Sequence, residues 1–175
     1  MAMTQFLGFP HYGDEYKVMG LAAYGRPEYF DGMRRIIRLK PKGSFQLNLD
    51  YFVHHSEGVS MVWENGAPAV GPLFSEKIEK LLGPRRRADE PISERHQNLA
   101  ASLQAVYEDV FLHIVNDLHE RTRQKALCLA GGCAQNSVVN GKIVSQTPFD
   151  RMYLPPATGD SGRGIGAAYL VWYEV

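Results

Sequence analysis

The sequence predicts an α/β domain, a sheet with helices packed on it, and three observations lead there. One long stretch repeats apolar residues at three- and four-residue spacing. Two short apolar runs follow it, one stopped by glycine and the other by prolines. After each run comes a glycine-rich turn and then a helical pattern, so strands and helices alternate.

The elements follow in chain order. Residues 14–25, "DEYKVMGLAAYG", carry helix signals, with Asp14 at the N-cap and Gly25 and Pro27 as the stop. Residues 28–38 read as a second helix. The alternation in "FQLNLDYF", residues 45–52, predicts a half-buried strand, and "GVSMVWENGAPAVG" a strand and turn centred on Asn65 and Gly66. Residues 72–92 mix proline, glycine and charge and read as irregular. Leu99, Leu103, Val106, Val110, Ile114 and Leu118 then mark one face of a helix from Glu94 to Thr122, a stripe that serves core packing. "ALCLAGG" predicts a buried strand, "NSVVNGKIVSQ" a helix with Asn136 near its start, and "FDRMYLPP" a strand closed by prolines. "GDSGRGIGAAYLVWYEV" predicts a glycine loop feeding a final apolar helix.

Composition bounds the function. The chain has 175 residues, 45% hydrophobic and 22% charged, enough for one domain with its own core. Lys and Arg number 19, as do Asp and Glu, so no whole-chain field draws nucleic acid or an anionic membrane. Arg85, Arg86 and Arg87 lie between Pro84 and Asp89 and read as a solvated loop. Two cysteines, Cys128 and Cys133, make neither a disulfide framework nor a zinc pattern, and a cytoplasmic setting is expected. No apolar stretch reaches membrane-spanning length and no signal peptide opens the chain.

The candidate chemistry sits in the glycine turns, Gly131-Gly132 and Gly159-Asp160-Ser161-Gly162. Glycine admits positive φ and lets a ligand approach where no Cβ intervenes. Helix N–H groups and the helix dipole then favour an anion such as phosphate. Either turn alone is better read as plain turn geometry. Two of them at the same end of neighbouring strands point to a ligand, because α/β proteins bind at that edge. Asp160 is balanced between capping the last helix and holding a divalent metal beside phosphates. "GRGIGA" fits G-x-G-x-x-A only superficially, since it does not run directly out of a strand. Lys17, in the first turn of its helix, is by default a solvated cation and otherwise a phosphate partner. His54 and His55 fall at a strand end and point to opposite faces, which disfavours a shared metal. His96, His113 and His119 are taken as structural, and Cys133 as a small residue filling space.

Four blocks, "MTQFLGF", "GDEYKVMGLAAYG", "LAGGCAQNSVVNGKI" and "YLPPATGDSGRGIGAAY", together resemble the O-carbamoyltransferase family of nodulation and antibiotic-tailoring enzymes. The glycine turn with Asn136 and the later Gly-Asp-x-Gly turn are also similar to the tRNA threonylcarbamoyl-adenosine synthase and the wider actin-like, sugar-kinase-like superfamily. The resemblance implies a ribonuclease-H-like lobe, with residues 1–175 as a single partial domain, the second lobe of a transfer domain. It implies that a separate domain makes carbamoyl-adenylate from carbamoyl phosphate and ATP. The transfer domain then passes the carbamoyl group to the hydroxyl of a small-molecule acceptor. It implies a bound metal, typically iron, with Mg²⁺ serving the nucleotide. By motif, Gly131, Gly132, Asn136, Gly159 and Gly162 would serve the nucleotide, Lys17 and Gly20 would line the same cleft, and Asp160 would be catalytic as a metal ligand.

The sequence departs from that pattern. The family's metal site also uses a His-x-x-x-His pair far upstream. The histidines here are 11, 54, 55, 96, 113 and 119, and none are four apart. The adenylate-forming domain is not in this sequence. Gln135 and Arg163 replace an apolar and a small residue. The chain alone is therefore expected not to turn over, whether it is a piece of a longer protein or a truncated product. The alternatives are a kinase or ATPase lobe of the same superfamily and a non-catalytic module that binds a nucleotide or a partner.

Overall fold

The computed structural model describes residues 1–64 and 66–174. It is mixed α/β and forms two compact units, Met1–Val110 and Phe111–Val175.

In the first unit the chain runs α1 (Ala2–Phe6), α2 (Glu15–Ala22), α3 (Phe30–Met33), β1 (Ile37–Leu39), β2 (Phe45–Leu47), α4 (His54–Glu57), β3 (Met61–Glu64), β4 (Ala67–Val70) and α5 (Glu76–Leu82). The first part of α6 (Glu94–Thr122) completes it. β1 pairs antiparallel with β2, with Arg38 opposite Gln46, and β3 with β4, with Val62 opposite Ala69. Phe6, Leu7, Met33, Ile78 and Leu99 are fully buried at its centre.

Polar groups fix one side of this core. Asn98 Oδ1 accepts from the Arg26 N–H at 2.8 Å, and Ser102 Oγ accepts from the Tyr29 N–H at 2.9 Å. Both residues are buried. They satisfy main-chain donors that burial would otherwise leave unpaired. At Gly25 the loop backbone presses so closely on α6 that a Cβ would collide with the Gln97 carbonyl. His96 closes the start of α6. Its Nδ1 accepts from the Ser93 N–H at 3.1 Å and lies 3.0 Å from Ser93 Oγ, so a histidine takes the place that Glu or Gln holds in a capping box.

Several expectations are corrected here. Residues 28–38 are one helical turn followed by a strand, because Ile37 to Leu39 pair with Phe45 to Leu47 and tertiary pairing overrides local propensity. The predicted strand over 45–52 stops at Leu47. Asn48 ends it by accepting from the Asp50 N–H and starting a 3-10 turn, Leu49–Tyr51. Residues 72–92 contain α5, capped by Ser75 Oγ on the Lys77 N–H and stopped by Gly83 at φ +83°. His54 and His55 open α4 and lie on no strand; their rings meet edge-on at 5.9 Å. Asp14 precedes α2, but its carboxylate does not cap it. Of the arginine run, Arg86 is half-buried, donating to the Leu7 and Gly8 carbonyls beneath the α1 turn. In the expected turn of the β3–β4 hairpin, Asn65 lies outside the described residues, while Gly66 has φ +81°.

The second unit holds the rest of α6, then β5 (Ala126–Cys128), α7 (Ser137–Asn140), α8 (Ile143–Gln146), β6 (Arg151–Tyr153) and α9 (Arg163–Glu174). β5 and β6 are parallel, with Leu127 opposite Met152. Both face a small core with Val115, Ile143 and Phe149. The expected stripe on α6 departs here: Ile114 and Leu118 are exposed and Val115 is buried. Steps of four residues drift around a 3.6-residue turn, so the buried face passes to Phe111 and Val115. The expected helix after Asn136 breaks into α7 and α8 at Gly141-Lys142. No residue of α9 is buried, and its Tyr169, Leu170, Trp172 and Tyr173 are exposed. Among the described residues no helix is long and apolar enough to cross a membrane.

Two outcomes follow for stability. Gly25→Ala forces the loop off α6 and is expected to cost about 1–3 kcal/mol in chemical denaturation. Burial holds the His96 imidazole below its ordinary value of 6.5, with Arg95 and Arg86 adding to the effect and Glu90 opposing it. The folded chain therefore prefers neutral His96. Stability is full above 6.5 and falls as pH drops below it, because the unfolded chain takes the proton more readily. His96→Gln keeps an acceptor for the Ser93 N–H and should remove this part of the pH dependence in denaturation curves.

Candidate functional site

The parallel pairing of β5 and β6 decides where the glycine turns lie. Both strands run the same way, so the segments after Cys128 and after Tyr153 leave the pair at the same end. The Leu129 N–H donates to the Tyr153 carbonyl at 3.1 Å, extending the ladder toward that rim. The Gly131 N–H then donates to the Thr158 carbonyl at 2.6 Å, which joins the two turns.

Glycine is needed at these positions for different reasons. Gly131 stands at φ +100°, where a side chain is strained. At Gly162 a Cβ would collide with the Ala157 carbonyl. At Gly159 it would meet Gln135 Nε2 at 3.0 Å, so the unusual glutamine lies over this turn. Gly132 is different. Its φ is not left-handed, a Cβ there would meet nothing within 4 Å, and the residue is exposed. Its N–H makes no hydrogen bond among the described residues.

The turn after β5 is a 3-10 helix, Gly132–Gln135, followed by Asn136, whose Oδ1 accepts from the Val139 N–H at 3.1 Å and caps α7. Only Ala134 of the 3-10 turn is buried. Cys133 is exposed, which corrects its reading as a space-filler. The turn after β6 is a second 3-10 helix, Asp160–Gly162, running into α9. Asp160 does not cap that helix. Its carboxylate pairs with Arg163 at 2.9 Å, and both side chains are exposed. Among the described residues no group of three His, Cys, Asp or Glu side chains is placed to hold a metal ion. Asp160 is one carboxylate with a guanidinium already on it, and the described residues do not by themselves fit a metal centre.

Lys17 and Gly20 belong to the first unit. Lys17 Nζ lies 2.6 Å from Asp14 Oδ1 and about equally far from the Phe9 and Tyr16 rings, at 5.9 and 5.8 Å. The hydrogen bond to Asp14 raises its pKa above the ordinary lysine value, so it stays a cation. Gly20 lies inside α2 with open space where its Cβ would be. The predicted residues thus fall into two sets. Gly131, Gly132, Asn136, Gly159, Asp160 and Gly162 share the rim of β5 and β6, and Lys17 and Gly20 lie on α2.

Two groups of the rim are not read as site residues in the sequence: Thr158, which contributes a carbonyl, and Asn140, a buried amide behind the turn. Gln135, a departure from the family pattern, places its amide over Gly159. The four-residue spacing of Asn136 and Asn140, one helical turn, was the available signal for Asn140. The steric readings separate in a melting experiment. Gly162→Ala should destabilise by about 1–3 kcal/mol, whereas Gly132→Ala should stay within about 0.5 kcal/mol of the parent.

Comparison with known proteins shows the family. The family model described as Carbamoyltransferase N-terminus matches residues 1–169. An uncharacterized protein of Synechocystis sp. is 38% identical over 99% of this chain and 26% of its own length. Nodulation protein NolO of Bradyrhizobium diazoefficiens is 32% identical over 93% of the chain and 26% of its own length. Nodulation protein NolNO of Sinorhizobium fredii is 33% identical, with 98% and 22% covered. The chain thus spans about a quarter of the length of these relatives. The chain belongs to the carbamoyltransferase N-terminus family.

Proposed function

We propose that the rim of β5 and β6 binds the adenylate part of carbamoyl-adenylate, within a larger protein that transfers the carbamoyl group to an acceptor hydroxyl. Gly132 carries this reading. Neither backbone conformation nor packing calls for glycine there, yet the position offers bare main chain with an unspent N–H at the edge where α/β folds take their ligands. A phosphate approaching that edge gains a donor and meets no side chain.

In the proposed transfer the acceptor oxygen bonds to the carbamoyl carbon, its proton passes to solvent water, and the bond from that carbon to the AMP phosphate oxygen breaks. AMP leaves as the anion. Main-chain N–H groups at the rim serve the phosphate, with no proton to exchange. On this reading the chain belongs to a lobe of the actin-like fold. Carbamoyl phosphate and ATP supply the adenylate. Asp160 would be one donor toward a metal. The chain is expected to bind nucleotide without turning over. A cytoplasmic setting is proposed, in keeping with thiols at Cys128 and Cys133.

Calorimetry with AMP tests the proposal. The 175-residue chain should bind weakly, and Gly132→Val should lose at least about tenfold in affinity while melting as the parent does. Equal binding by Gly132→Val, or no binding by the parent, would overturn it.

A further inference from the structure

Behind the open glycine turn lies a group that the transfer chemistry has not used. Asn140 ends α7 with only 7% of its surface exposed. Its Nδ2 donates to the Ala134 carbonyl at 2.7 Å, reaching back six residues into the 3-10 turn. Its main-chain N–H donates to the Asn136 carbonyl at 3.1 Å. Ala134 is itself buried, and its N–H donates to the Gly131 carbonyl at 3.1 Å. A chain of hydrogen bonds thus runs from Asn140 through Ala134 to Gly131, while the outer side of Gly131 and Gly132 is left bare.

A second observation sets this asparagine apart from ordinary filling. Asn140 Oδ1 is buried and has no hydrogen-bond partner among the described residues. A buried acceptor left unpaired is costly, and this amide bears that cost while its Nδ2 satisfies the buried Ala134 carbonyl. What the amide adds is a donor aimed at the Ala134 carbonyl, by which a side chain of α7 holds the turn from inside.

We propose that Asn140 is a positioning residue: its buried amide holds the Ala134 carbonyl and so keeps the exposed Gly131-Gly132 main chain in the shape that receives a nucleotide phosphate. The phosphate half of this statement rests on the reading of the rim given above. The grip on the turn stands on the geometry alone, and the two parts are separable by experiment.

Asn140→Asp and Asn140→Ala test it, with AMP as the probe and amide hydrogen exchange as a readout that needs no ligand. The carboxylate of Asn140→Asp faces the Ala134 carbonyl with no proton to donate. Near neutral pH it should loosen AMP by about ten- to a hundredfold and speed exchange across residues 131–136, with β5 and β6 unchanged. As pH falls and the buried carboxyl takes up its proton, the O–H can donate again, and both affinity and protection should return. Asn140→Ala should show the same losses with no recovery in acid. A merely structural asparagine would lower the melting temperature without a pH-dependent rescue confined to the turn. Unchanged exchange at 131–136 in folded Asn140→Asp would overturn the proposal. So would parental AMP affinity in variants whose parent binds AMP. If the parent fails to bind AMP while the turn still loosens and recovers, the grip stands and the nucleotide reading falls.

Discussion

The parallel pairing of Ala126–Cys128 with Arg151–Tyr153 is the constraint on which the candidate site depends. Only a parallel pair brings two consecutive strand ends to one rim, and only a crossover between them allows it. Here the crossover is α7 and α8, and Leu127 and Met152 anchor the pair by facing the same small core. The Gly131 N–H then spends itself on the Thr158 carbonyl, so the two turns are one hydrogen-bonded edge. Had the strands run antiparallel, Gly131 and Gly159 would have emerged at opposite ends and the six rim residues would share nothing.

Glycine content alone is a poor guide to a binding site, and this chain shows why. Gly25 is glycine because α6 lies against it, Gly162 because of the Ala157 carbonyl, and Gly131 because of its left-handed backbone. These three are explained by folding. Gly132 and Gly20 are not: each has open space above it and an ordinary φ. Gly20 even sits inside a helix, where alanine would be favoured by about 0.5–1 kcal/mol. Glycine that the fold does not require is where a function can be read.

Much of the second unit was legible in the sequence because its signals are local. The apolar runs of β5 and β6, their glycine and proline stops, and the long period of α6 each need only a short window, although β5, expected to be buried, buries only Leu127. The residues that failed were governed by partners far away in the chain. Ile37 forms a strand because Leu47 pairs with it, and Arg86 is half-buried because Leu7 and Gly8 supply carbonyls. Asn98 and Ser102 interrupt the apolar face of α6 because the loop at 26–29 brings N–H donors to them. At the rim, Asp160 read as cap or metal ligand; it does not cap α9, and its carboxylate pairs with Arg163. Asn136 turned out to cap α7, which its place at a helix start had signalled.

The central claim is that an adenylate meets main chain at one rim, and amide-resolved NMR during a titration with AMP tests it most directly. The account predicts that the Gly132 amide shifts most, joined by its neighbours in 131–135 and 158–161, while amides of α6 stay in place. Shifts centred elsewhere, with Gly132 unmoved at saturation, would contradict it.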